Sequence, residues 1–121
     1  MAEPLYLQIH VNRVVLRSLG KNPTTVQVHA ERPFTSQRLL VGHFSEAEHA
    51  VKDAIQQLLA GRWLASVSVL IIQPMEMVEG GLSQVEERLL LDLGASAGAR
   101  RVRLWTGDEL SDQEALTLAA G

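Results

Sequence analysis

Residues Gly81–Trp105 read GLSQVEERLLLDLGASAGARRVRLW, and this stretch decides the predicted fold. Its Ser83 and Glu86 have the spacing of a capping box, in which a hydroxyl and a carboxylate each satisfy a backbone N–H of the first helical turn. The apolar residues that predict the buried stripe of this helix are Val85, Leu89, Leu90 and Leu93. Small residues at 97–99 end the helix, and Arg101–Trp105 (RVRLW) predicts a strand. The stretch is therefore typical of the helix, turn and strand of an α/β domain.

The segments on either side of this stretch predict further strands and helices. Apolar and polar residues alternate near the start of the chain, which is typical of half-buried strands. The other predicted strands are Leu5–Val11, Val14–Arg17, Thr24–Glu31 and Ala65–Gln73. Two more capping boxes, Ser45 with Glu48 and Ser111 with Glu114, predict where the remaining helices begin. The order β-β-β-α-β-α-β-α predicts one α/β domain over residues 1–121, with a mixed five-stranded sheet and helices on both faces.

The composition is that of a single globular domain. The chain has 121 residues, of which 46% are hydrophobic and 21% charged, and a core of this size is stable without cross-links. It contains no cysteine, which excludes disulfides and thiolate metal sites. The N-terminus lacks a basic leader segment and a long apolar run, so we expect a cytoplasmic protein without membrane insertion. The net charge of -3 disfavours nucleic acid as a partner.

Several segments resemble bacterial actins of the MreB type. That family has a strand ending in V-P-S-G, then V-T-E-V-E-x-R, a helix, and A-G-A-R-x-V before the next strand. The corresponding segments here are Ile71–Pro74, Gly81–Arg88 and Ala97–Leu104, and His43–Glu48 is similar to the family's D-F-D-V-A-E. The resemblance implies a ribonuclease-H-like, actin-type half-domain of three layers. It also implies protein contacts or assembly, in a role related to rod shape or the cytoskeleton.

The residues with which this family holds nucleotide are largely missing from the chain. The family's first hairpin carries D-x-G-T-x-N-T, which holds Mg²⁺ and phosphate, whereas Gln8–Arg13 offers only Asn12 at that turn. The family's water-positioning carboxylate corresponds to Glu86, which is also a capping-box residue. The half that completes the family's cleft has no counterpart before Gly121. We therefore expect neither an enzyme nor a cofactor; the alternative is a nucleotide-binding protein in which two copies form an ATP cleft with Asn12 and Glu86.

Other site chemistries find little support in the sequence. A nuclease on this scaffold needs carboxylates on its first strand to hold metal ions, and Leu5–Arg17 contains none. The histidines lie outside recognised ligand patterns, so we expect no metal. His49 and Asp53 are predicted to form a solvated pair on one helix face. An aromatic content of 4% argues against a stacking surface for single-stranded nucleic acid.

Two segments are predicted to contact a partner protein or a second copy of the chain. The loop Pro74–Gly81 carries two methionines between apolar elements, and flexible methionines suit adaptable contacts. Packing of one of them in the core is at least as good an interpretation. The strand Arg101–Trp105 has a basic and aromatic edge that could pair with another chain. The predicted contact residues are Met75, Met77, Arg101, Arg103 and Trp105.

Overall fold

The computed structural model describes residues 2–20, 22–62 and 65–121. Along the chain these residues form β1 (Ala2–His10), β2 (Arg13–Ser18), β3 (Thr25–His29), α1 (Phe44–Leu58), β4 (Ser66–Pro74), α2 (Gln84–Ser96), β5 (Arg101–Leu104) and α3 (Asp112–Ala120). β1 begins earlier than the predicted Leu5. The segment between β3 and α1 contains bends without a further strand.

The described residues form a mixed five-stranded sheet with the order β3-β2-β1-β4-β5, which confirms the predicted sheet. β1 pairs antiparallel with β2 and parallel with β4, and β5 extends the sheet in parallel with β4. β1 is therefore the central strand. Because helical elements cover both faces at this position, the prediction of a half-buried strand was wrong at Tyr6, which is 3% exposed.

The helices lie on opposite faces of the sheet. The main core, on the side of α1 and α2, includes Leu5, Leu7, Val51, Ile72 and Leu93. The smaller core, on the side of α3, includes Tyr6, Val69, Ile71, Leu110 and Ala115. Burial of apolar surface stabilises a fold by about 25 cal/mol per Å², so the face covered by α1 and α2 supplies most of the stability.

A buried polar network fixes the start of α3 to the sheet. The Tyr6 hydroxyl donates to Gln73 Oε1 and accepts from the backbone N–H of Leu110 at 3.1 Å. The buried Gln73 side chain donates in turn to the carbonyl of Gly107 at 2.8 Å. Because these buried groups satisfy one another, the network avoids the cost of unpaired polar atoms. It holds the loop before α3 against β1 and β4.

A glycine on α2 allows close packing against β5. A Cβ atom at Gly94 would lie 2.6 Å from Val102 Cγ2 and 3.2 Å from Ile72 Cδ1. The first distance is too short for two carbon atoms that are not bonded. The missing side chain therefore sets how near α2 lies to the sheet, at the usual cost of glycine in a helix.

Two of the three predicted capping boxes are present. At the start of α2, Ser83 Oγ accepts from the Glu86 N–H, and the Glu86 carboxylate accepts from the Ser83 N–H. Ser111 and Glu114 make the same pair of bonds at the start of α3. Each box satisfies two backbone donors that the helix itself leaves free.

The third predicted capping box was wrong. α1 begins at Phe44, and its cap residue His43 makes no side-chain cap bond. The backbone N–H groups of Gly42 and His43 both donate to the Phe34 carbonyl, at 2.8 and 2.9 Å. These bonds fix the chain immediately before the helix, so Ser45 lies inside the first turn instead of capping it.

Candidate functional site

An apolar groove opens where β4 ends. One wall is formed by the loop 75–83 and the first turns of α2, and the other by the segment 39–41. The space in it amounts to about 390 Å³, part of which is open solvent. Its apolar lining includes Leu39, Val41, Met77, Leu82, Val85 and Leu89. Because concave apolar surface is the usual feature of a binding site, this groove is the strongest candidate in the described part of the chain.

The mouth of the groove carries two exposed apolar side chains. Val85 on α2 is 74% exposed, and Leu39 on the facing segment is 37% exposed. The prediction that Val85 belongs to the buried stripe of α2 was therefore wrong. At 3.6 residues per turn, Val85 lies about 140° around the helix from Leu90, which is buried against the sheet. Val85 instead points toward the groove.

The two methionines of the loop are less available than their position in the sequence indicates. Met77 has a positive φ of 60°, and its side chain packs against the main core while lining the groove. Met75 is half-buried, and its N–H donates to the Ile9 carbonyl at 2.8 Å. The interpretation that one methionine packs in the core is confirmed for Met77.

Asn12 anchors the segment that follows β3. Its Oδ1 accepts from the N–H groups of Phe34 and Thr35, at 2.9 and 2.8 Å. Its own N–H donates to Thr35 Oγ1 at 3.0 Å, and its carbonyl accepts from the Ala30 N–H at 2.9 Å. The residue has a positive φ of 52°, a conformation that asparagine tolerates better than most residues. In the structure, this predicted nucleotide-binding residue has a structural role, because it holds the segment after β3 against the hairpin.

Glu76 links the β1–β2 hairpin to the loop after β4. Its Oε2 accepts from the Val11 N–H at 2.7 Å, and His10 Nδ1 lies 3.8 Å from the same oxygen. Burial lowers the pKa of His10, the neighbouring Arg13 lowers it further, and Glu76 partly opposes both effects. Sequence reasoning missed this contact, because 65 residues separate Val11 from Glu76.

Glu86, the second predicted nucleotide-binding residue, lies in the first turn of α2. Its Oε1 accepts from the Ser83 N–H at 3.0 Å, and the side chain also lines the groove. Among the described residues, no hydrogen bond joins Glu86 to Asn12, and each is held by different partners. Asn12 is not among the residues that line the groove.

The predicted contact residues on β5 lie away from the groove. β5 is an edge strand, because it is the last strand in the sheet order. Arg101 Nη2 donates to the Gly121 carbonyl at 3.1 Å, and Trp105 Nε1 donates to the Asp108 carbonyl at 2.9 Å. Neither these residues nor Arg103 lines the groove. The groove and the β5 edge are separate surfaces.

Comparison with known proteins places the chain in a family. No protein-family model matches it. Over 104 residues it is 35% identical to the Escherichia coli K12 protein described as "Uncharacterized protein YjaA", and the match covers 82% of this chain and 80% of that relative. The chain belongs to the YjaA family.

A solved structure also matches the YjaA-family chain at low similarity. It comes from the "Structural Study of the Aquifex aeolicus PPX-GPPA enzyme", with a TM-score of 0.47 and 12% sequence identity. The match covers 87% of the YjaA-family chain and 36% of the Aquifex chain, so the chain spans about a third of that enzyme's length.

The titratable residues of the YjaA-family chain are scattered. Within residues 2–20, 22–62 and 65–121, no three His, Asp or Glu side chains are grouped so that they could hold a metal ion. His49 lies 3.9 Å from Glu31, whereas Asp53 accepts from the Gln57 side chain at 3.2 Å. The predicted His49–Asp53 pair was therefore wrong, because each side chain has another partner. In the same ranges, no helix is both long and apolar enough to cross a membrane.

Proposed function

We propose that this protein is a non-catalytic binding domain that docks another protein through the apolar groove. The observation that carries the proposal is the exposure of Val85 at the mouth of a groove whose lining is mostly apolar. Exposed apolar surface is costly in water, and a contiguous concave patch of it is typical of an interaction site. Leu39, on the opposite wall, would contact the same ligand side chains.

The hairpin contacts support binding of protein over binding of nucleotide. A phosphate-binding turn needs free backbone N–H groups, but here the Val11 N–H donates to Glu76 and the Asn12 N–H donates to Thr35. The Glu76 carboxylate would also repel an incoming phosphate. We therefore rank the alternative, an ATP cleft formed by two copies, second; isothermal titration with Mg-ATP at millimolar concentration should give no binding heat.

A relation to MreB-type actins belongs to the same proposal. It rests on the segments Ile71–Pro74 and Gly81–Leu104, and neither match described above is named as an MreB-type protein. On this view the chain is a ribonuclease-H-like half-domain that acts in the cytoplasm, through protein contacts related to cell shape. A second copy of the chain is the other partner to be considered.

Site-specific photo-crosslinking tests the proposal. A benzophenone amino acid at position 85 should give a reproducible crosslinked product in native cells, and an added Leu39→Glu substitution should abolish it. The matched control position is Leu116 on α3, which is 37% exposed, as is Leu39, and lines no part of the groove. Equal products from positions 85 and 116, or none from position 85, would refute docking at the groove. Circular dichroism should show that every variant is folded.

A further inference from the structure

We infer that the segment bound in the groove presents apolar side chains flanked by lysine or arginine. This inference rests on the proposed function and specifies the partner's chemistry. The described lining of the groove is apolar apart from Glu76 and Glu86, and it contains no Lys or Arg. An apolar ligand side chain would be buried by the groove, whereas a basic side chain beside it could pair with the two carboxylates of the lining.

The acidic character continues beyond the lining. Glu79 and Glu87 are exposed and adjoin groove residues in the chain, and neither forms an ion pair with any residue of the described ranges. The basic residues that adjoin the lining are Arg38 and Arg88, and Arg88 is paired with Asp92. Rim charges such as those of Glu79 and Glu87 increase the association rate and the specificity of a partner with opposite charge more than they increase its affinity. Their effect on binding should therefore weaken as salt is added.

A second copy of the chain fits this chemistry less well than an exposed segment of another protein. The chain's own basic and aromatic candidate is β5 with Trp105, but Arg101 donates to Gly121 and the Trp105 indole donates to Asp108. Docking of β5 into a neighbouring groove would have to break these bonds. An exposed segment of another protein has no such cost beyond its own ordering.

Selection of peptides from a random library on the full-length protein tests the inference. We expect the selected peptides to combine apolar residues with Lys or Arg and to carry few Asp or Glu. Their synthetic versions should lose affinity by about tenfold with Val85→Glu, the scale of a central interface residue. They should lose about threefold with Glu79→Lys, the scale of a rim charge.

A matched variant separates the groove from general charge effects. Glu31→Lys makes the same charge change at an exposed position that lines no part of the groove, and it should leave the affinity of each peptide within about twofold. Selection repeated on the Glu79→Lys protein should favour fewer basic residues.

Four results would overturn the inference. The first is an absence of charge bias, or an acidic bias, among the peptides that bind the groove. The second is peptide selection that is unchanged by Val85→Glu. The third is self-association by analytical ultracentrifugation that both Val85→Glu and Arg101→Glu abolish, which would make a second copy the occupant. Crosslinking at position 85 to a protein without such a basic segment would refute this inference and leave the proposed function standing.

Discussion

The Arg17 guanidinium on β2 donates two parallel hydrogen bonds to the Asp112 carboxylate at the start of α3. Arg17 Nε donates to Asp112 Oδ1 at 2.6 Å, and Nη2 donates to Oδ2 at 2.9 Å. Bidentate geometry of this kind is the strongest form of such a pair. The pair joins β2 to the last helix, 95 residues later in the chain.

We expect this pair to contribute measurable but modest stability. Both side chains are about 40% exposed, so a double-mutant cycle with Arg17→Ala and Asp112→Ala should give a coupling of about 0.5–1 kcal/mol in urea unfolding. The control is Arg88 with Asp92, a more exposed pair within α2 whose atoms lie 3.2 Å apart. That pair should give a smaller coupling, and equal values would contradict the role of bidentate geometry.

The same pair should make stability depend on pH in the acid range. The hydrogen bond from Arg17 lowers the pKa of Asp112 below its usual value of 3.8. A carboxyl group with a lowered folded-state pKa stabilises the protein above its unfolded-state pKa, and this stability is lost as pH falls through the folded-state value. The difference in unfolding free energy between the parent chain and Arg17→Ala should therefore persist at neutral pH and shrink below about pH 4. A difference independent of pH would contradict this linkage.

Substitution of Asn12 should destabilise the segment after β3. Asn12→Ala removes the acceptor for the Phe34 and Thr35 N–H groups and places alanine at a positive φ. We expect a loss of about 2–4 kcal/mol in urea unfolding. Glycine at position 12 tolerates the positive φ but cannot accept the two hydrogen bonds, so Asn12→Gly should recover only part of this loss. Native-state hydrogen exchange should accelerate at residues 34 and 35, and unchanged exchange there would refute the anchoring role.

The three serine motifs should differ in their response to alanine. Ser83→Ala and Ser111→Ala each remove a cap bond that the structure contains, so each should cost about 1 kcal/mol. Ser45→Ala removes no cap bond, and its effect should stay within about 0.5 kcal/mol. Thermal or urea unfolding of the three variants measures this difference. A similar loss from Ser45→Ala would contradict this expectation and support the predicted third capping box.

Alanine at Gly94 should destabilise the protein although alanine favours helices. The new methyl group would meet Val102 at 2.6 Å, and overpacking of this kind costs about 1–3 kcal/mol, which exceeds the gain of about 1 kcal/mol in helix propensity. Val102→Ala removes the obstructing methyl groups, so the double variant should lose less stability than the summed losses of the two single variants. Strict additivity of the two substitutions would refute the close contact.

Local patterns predicted the sheet and two of the three helix starts because alternation and capping residues act within a few positions. The sequence Ser45–Glu48 carries the same signal as Ser83–Glu86, yet only the second is used. The chain before α1 is fixed by backbone bonds from Gly42 and His43 to Phe34, which depend on how the whole segment between β3 and α1 folds. Local information therefore predicts which helix starts are available, and tertiary contacts select among them.

The candidate site was less predictable than the fold. The loop after β4 was identified from its methionines, but Val85 was assigned to the core, and its exposure depends on which face of α2 meets the sheet. The contacts of Asn12 and Glu76 cross 22 and 65 residues. No spacing in the sequence reveals such pairs. An asparagine at a tight hairpin turn does, however, signal a positive φ.

The central position of β1 affects the order in which the molecule can fold. Leu7 pairs with Leu16 across a short hairpin on one side and with Ile72 on the other. Contacts between residues far apart in the chain form only after a long loop has closed, which costs conformational entropy. We therefore expect β1–β3, which are joined by short turns, to associate first. Leu16→Ala should then slow folding, and Ile72→Ala should mainly speed unfolding in stopped-flow measurements; the reverse pattern would contradict this order. A nascent chain that has not yet reached Ser66 leaves one side of its future central strand without a partner.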